Sequence, residues 1–233
     1  MSARVGSQVV AKASRKPLSR ERVLAAAIAL VDAQGIQALT MRRLASDLNV
    51  EAMSLYYHLP DKEALLDGVV ETVIAEVGSL DPNSGDEDWR TRLRQQFLAA
   101  RQVMLRHPWV PALLGSRRTI PASVYGYYDG IVGTLVGAGF SYHLAHRALH
   151  AFGSMPLGFA QEIFSPESAG GSMEDDAAEE DLAAMAEALP HLTAMVAAEV
   201  HDSTDPALGW CDSQIEFEFT LDLLLDGLER LRG

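Results

Sequence analysis

Apolar residues recur along this chain at intervals of three and four, and no convincing alternating strand pattern interrupts them. After Ser19, a good N-cap, the series Val23, Leu24, Ala27, Ile28 and Val31 predicts a helix over 20–34, stopped by Gly35. Thr40 heads a second helix over 41–48. Asn49, a residue that tolerates the left-handed conformation, predicts a tight turn, and a third helix follows over 51–58. Pro60-Asp61 breaks the chain before a fourth helix over 62–78. The turn-rich loop "SLDPNSGDED" (79–88) comes next. Helices are then predicted over 89–106, 109–114, 122–138 with Pro121 in its first turn, and 141–164 capped by Ser141 and kinked at Pro156. Two more are predicted over 182–201 and 212–231. The polar, acidic run 165–181 is expected to be a mobile loop.

The fold class is therefore all-α, with about ten helices. A basic arm (1–17) precedes a three-helix head with its linking helix (18–78), and a helical body follows (79–233). In the head, Ala45 stands where two short helices would cross. Asn49 makes the turn four residues later, and Leu55, ten residues after Ala45, packs the second helix back on the first. That is the spacing of a helix-turn-helix.

Composition narrows the setting. Hydrophobic residues at 48% and charged residues at 22% are those of an ordinary globular protein. One cysteine, Cys211, excludes an intramolecular disulfide framework and fits a reducing cytoplasm. The N-terminus has no apolar run of signal-peptide character, and no window approaches a membrane span. The net charge of −13 argues at first against nucleic acid, but its distribution reverses that. Residues 1–78 hold nine basic and nine acidic side chains, so the whole excess of acid lies in the body. The first 22 residues carry six Lys or Arg against Glu21 alone. DNA responds to the local patch, because charges beyond a Debye length are screened.

One face of the third helix is not explained by packing: Ala52, Met53, Ser54, Tyr56, Tyr57 and His58. Either tyrosine alone could be a half-buried packing residue with a wet hydroxyl. Beside Arg42, Arg43 and Lys62, the group has the donors that fix a protein on phosphates and read base edges. The stretch "LTMRRLASDLNVEAMSLYYHLPDKEALL" (39–66) resembles the DNA-binding signature of the TetR family of bacterial repressors. The resemblance runs from about Leu18 to Val77 and, more weakly, through the body at Trp89, "LLGSRR" (113–118) and "GSMPLGFAQE" (153–162), as in the tetracycline-repressor branch. It implies that Arg42, Ala52, Met53, Ser54 and Tyr56 face the major groove. Thr40, Tyr57, His58 and Lys62 would meet phosphates. Ala52 and Met53 depart from a hydrogen-bonding pattern, so base reading would lean on Arg42, with Ser54 and Tyr56.

In the body, a set rich in aromatic and sulfur side chains can be ordinary core or the lining of an apolar cavity. Its members are Phe97, Met104, Trp109, Tyr128, Phe152, Met155 and Phe159, with Leu113, and Ser116, Arg117, His146 and Glu162 as polar handles. His143, His146 and His150 fall on one helical stripe, but no Cys or Asp joins them, and no metal or other cofactor is expected. The last helix carries apolar residues beyond one core-facing stripe, which suggests a bundle shared between two subunits, as the resemblance also implies. In the tetracycline repressors a metal-ligating histidine stands two residues before the Gly of "LGTR". Leu113 takes that place here, so the ligand expected is an apolar or aromatic molecule. Gly-rich phosphate loops and nucleophile elbows are missing from the sequence. The main reading is a ligand-released repressor that binds a palindromic double-stranded operator as a homodimer. A DNA binder without an inducer and a helical enzyme are the alternatives, and helix 62–78 is the expected lever.

Overall fold

The computed structural model describes residues 17–80, 88–117, 119–159, 187–191, 193–194 and 213–232. Among them no strand occurs, and nine α-helices of five or more residues are defined. They are α1 (Arg20–Gln34), α2 (Met41–Leu48), α3 (Ala52–Tyr56), α4 (Lys62–Leu80), α5 (Trp89–Arg106), α6 (Val110–Ser116), α7 (Ala122–Gly137), α8 (Tyr142–Phe159) and α9 (Ser213–Leu231). The expectations for Glu162, loop 165–181, most of helix 182–201 and Cys211 lie outside the described residues.

Local chemistry sets the helix ends. The Ser19 side chain accepts from the Arg22 amide at 3.2 Å, and that of Thr40 accepts from the Arg43 amide at 3.1 Å. Asn49 sits at φ 56°, ψ 50°, and its amide and that of Val50 close the end of α2 on the Ala45 and Ser46 carbonyls. Asp88 caps α5. Hydrogen bonds from the Thr91 hydroxyl and amide hold its carboxyl below the usual carboxylate range. The third helix is shorter than the predicted 51–58. The residue before a proline is pushed out of helical geometry, and Pro60 follows Leu59, so the chain leaves α3 through a turn at Tyr57 and His58. Pro121 likewise stands at the cap of α7 and not inside its first turn.

The chain divides into two compact units between Val69 and Val70, inside α4. In the first unit Leu44, Ala45 and Leu55 are all buried, which places the two short helices against each other. Gly68 lets α4 approach α1: a Cβ there would come within 2.8 Å of the buried Leu24 side chain. Leu55 is the one side chain that α3 buries completely. Leu55→Ala is therefore expected to cost about 2–5 kcal/mol. Hydrogen exchange should show α2 and α3 losing protection while the body helices keep theirs.

In the second unit α5, α7, α8 and α9 surround one apolar core. Phe97 stacks on Phe152 with ring centroids 4.8 Å apart, and Phe159 meets Phe217 edge-on at 5.3 Å. A polar ladder joins α5 to α9. Arg90 pairs with Asp226 at 2.7 Å, Arg94 with Asp222 at 3.1 Å and Glu218 at 2.5 Å, and Arg101 donates to the Gln214 side chain at 2.9 Å. Both carboxylates hold the Arg94 guanidinium above its ordinary pKa. The Arg90 and Arg94 ion pairs are about one-third to one-half exposed, so they set register more than they add stability.

Candidate nucleic-acid interface and ligand site

The five residues of α3 bury one side and offer the other to solvent. Met53 is 69% exposed and Tyr57 89% exposed. Tyr56 is exposed as well, while Ala52, Ser54 and His58 are partly covered. The short helix, anchored by Leu55, thus leaves Met53 and Tyr56 exposed and Ser54 partly exposed, and Tyr57 follows at its C-terminal cap. Thr40, Arg42, Arg43 and Lys62 are exposed as well.

The two arginines of α2 differ. The Arg43 guanidinium binds Asp47 one turn along the helix, with Nε 3.0 and 3.1 Å from the two carboxylate oxygens. Among the described residues Arg42 pairs with no carboxylate. Arg42 can meet an acceptor without giving up an ion pair, whereas Arg43 must first leave Asp47. The resemblance had singled out Arg42 for base reading, and Asp47, at the i+4 position from Arg43, gives the two arginines their physical difference.

The body separates the candidate ligand residues into several groups. Phe97, Phe152 and Met155 belong to the core, with Tyr128 and Phe159 partly buried against it. Met104, Trp109 and Leu113 are buried on α5, just before α6, and on α6. Ser116 is exposed and its hydroxyl donates to the Leu113 carbonyl at 2.7 Å, while Arg117 is partly buried at the end of α6. His146 lies on the side of α8 that carries the exposed His143, Arg147 and His150, not the side that buries Ala145, Ala148 and Phe152. Its ring meets that of His150 edge-on at 4.7 Å. Among the described residues no three His, Cys, Asp or Glu side chains gather as a metal site would require.

An open cleft of about 390 Å³ runs between α8 and α9, lined by Ala151, Ser154, Met155, Gly158, Phe159, Thr220 and Leu224. Met155 and Phe159 are the two predicted ligand residues that it includes. Beside it, Arg101 is 3% exposed, with its guanidinium 4.7 Å from the Phe217 ring centre and 5.8 Å from that of Phe159. Residue spacing alone did not single out Arg101. Its signal was a partner series at 214, 218, 222 and 226, matched to 101, 94 and 90 on a distant helix.

Two family models match along the chain. Residues 23–69 match "Bacterial regulatory proteins, tetR family", and residues 81–232 match "Tetracyclin repressor-like, C-terminal domain". The chain belongs to the TetR family of transcriptional regulators. An HTH-type transcriptional regulator of Saccharopolyspora erythraea is 35% identical over 126 residues, which is 54% of this chain and about half (52%) of that relative. The class C tetracycline repressor of Escherichia coli is 28% identical over 216 residues, 92% of each chain. Among solved structures, a possible TetR family transcriptional regulator from Streptomyces coelicolor A3(2) superposes with a TM-score of 0.70 at 31% identity, covering 91% of this chain and 100% of that one. Among the described residues no helix of this TetR-family chain is long and apolar enough to cross a membrane.

Proposed function

We propose that this protein is a ligand-responsive transcriptional repressor, working in the cytoplasm without catalytic activity of its own. It binds a palindromic operator as a homodimer and is released by a small molecule held in the body. The observation that carries this reading is the α3 face, which leaves Met53 and Tyr56 exposed and Ala52 and Ser54 partly exposed on a helix with a single buried anchor. Arg42 reads a base edge, with Ser54 and Tyr56 beside it, and the methyl or thioether groups of Ala52 and Met53 touch thymine methyls. Thr40, Tyr57, His58 and Lys62 meet phosphates, as does Arg43 once it leaves Asp47. Two-fold symmetry supplies the second half-site.

The releasing ligand is an apolar or aromatic molecule, with Arg117 as the candidate partner of an acidic group on it. Leu113 is buried on α6 and offers no donor to a metal, in the place where the tetracycline repressors carry a metal-ligating histidine. Gel shifts on the cognate duplex, with magnesium-tetracycline in one arm and planar aromatic acids in the other, test the inducible reading. Calorimetry on the same compounds should show no sub-micromolar, magnesium-dependent tetracycline binding. Such binding would contradict this choice of ligand class and leave the DNA-binding reading intact.

A further inference from the structure

We infer that Asp47 is a positioning residue that restrains DNA affinity by competing with phosphate for the Arg43 guanidinium, an inference that rests on the DNA-binding reading above. Both side chains lie on α2, one turn apart, and both are exposed. The Arg43 Nε donates to the two oxygens of the Asp47 carboxylate at 3.0 and 3.1 Å. Among the described residues neither side chain has another partner. A phosphate offers Arg43 the same kind of charge-assisted acceptor. The terminal guanidinium nitrogens remain available, but the carboxylate neutralises the charge that attracts phosphate. It also draws the side chain along α2 toward Leu48 and away from any extended reach.

Helix stability does not account for the acid. Asp47 is the last residue but one of α2, where the negative end of the helix dipole disfavours a carboxylate. An arginine followed by an acid four residues later is also the poorer orientation for a helical ion pair. Ser46 stands at the matching position for Arg42, so of two adjacent arginines the second is neutralised and the first is not. The pair lies on the helix-turn-helix surface, beside the residues that meet DNA. Asp47 therefore lowers affinity twice over: it holds back one cation, and once that cation leaves it exposes an anion to the duplex. Phosphates are alike in every duplex, so the restraint is independent of sequence. It leaves base reading to Arg42 and limits the time spent on random DNA.

The test titrates the full-length protein against a duplex selected from a random pool and a scrambled one, at several salt concentrations. The variants are Asp47→Asn, Asp47→Glu, Arg43→Ala and the double variant with Asp47→Asn and Arg43→Ala. The inference expects Asp47→Asn to tighten both duplexes by a similar factor, about two- to fivefold for each head and so roughly four- to 25-fold for a dimer. The slope of log affinity against log salt should steepen by up to about 0.9 for each head. Asp47→Glu keeps a carboxylate within reach of Arg43 and should stay within about twofold of the parent. In the Arg43→Ala background the gain from Asp47→Asn should shrink by at least about threefold, because no cation is left to release. The thermal midpoint of Asp47→Asn should equal or exceed that of the parent. An equal gain with and without Arg43 overturns the inference, since it would mark plain repulsion between Asp47 and phosphate. Unchanged binding in Asp47→Asn, or a lower thermal midpoint without tighter binding, overturns it as well. Equal binding of the parent to both duplexes would instead count against the repressor reading, and the comparison of variants would still be decided on the scrambled duplex.

Discussion

Phe219→Glu is expected to turn the dimer into a monomer and to lower operator affinity by about 10²–10⁴-fold, the range set by losing a tethered second site. The reason lies in the two faces of α9. Phe217, Leu221 and Leu225 are fully buried against the body core. Ile215, Phe219 and Leu223 stand two residues from them, and so about 200° around the helix, and are 64%, 65% and 60% exposed. A helix apolar on opposite sides is half-covered in the single chain. The adjoining cleft is lined on α8 by Ala151, Ser154 and Gly158, small residues that allow another helix to approach closely. Burying three such side chains from each protomer is worth roughly 1.5–3 kcal/mol apiece, or about 9–18 kcal/mol in all. That exceeds much of the roughly 4–15 kcal/mol or more that association costs. A carboxylate at the centre of the stripe, repeated by symmetry, removes one anchor and buries two like charges. Light scattering should report a monomer with the helical content of the parent. A dimer of unchanged mass and stability would move the interface elsewhere.

Arg42→Ala is expected to weaken the cognate site far more than random DNA. One bidentate contact to guanine discriminates by about 1–3 kcal/mol, and a dimer makes it twice, so specific affinity falls roughly 30-fold to 10⁴-fold. Lys62→Ala should act on both kinds of DNA alike and reduce the slope of log affinity against log salt by about 0.9 for each phosphate no longer neutralised. Arg43→Ala should do less than either, because the parent must break the Arg43–Asp47 pair before Arg43 can contribute. Titrations of the three variants at several salt concentrations separate these roles. Equal losses on cognate and random duplexes for Arg42→Ala would place that side chain on the backbone.

The head was more legible in the sequence than the body for a physical reason. Ser19, Thr40 and Asn49 act on groups within five residues of themselves, so their chemistry can be read locally. Leu55 and Ala45 are ten residues apart and joined by one tight turn. The body is held by pairs far apart in the chain: Arg101 with Gln214, Arg94 with Asp222, Glu76 with His107. Residue spacing along one helix does not reveal which distant helix supplies the partner. The same limit blurred the ligand site. Phe97 and Phe152 looked equally suited to lining a cavity and to filling a core, and in the structure they stack on each other. The apolar surplus of the last helix was visible, because Ile215, Phe219 and Leu223 repeat every four residues beside a second apolar series. The division inside α4 was not visible, since its apolar periodicity runs unbroken through Val69 and Val70.

The central claim is sequence-specific reading by a symmetric dimer. The most direct measurement selects duplexes bound by the parent protein from a random pool, then titrates the selected duplex and a scrambled one of equal length at physiological salt. The account predicts an inverted repeat with half-sites about one helical turn apart, two protomers per duplex, and binding at least about 10³-fold tighter than to the scrambled duplex. A pool that converges on no sequence, with equal affinity for both duplexes, would contradict it.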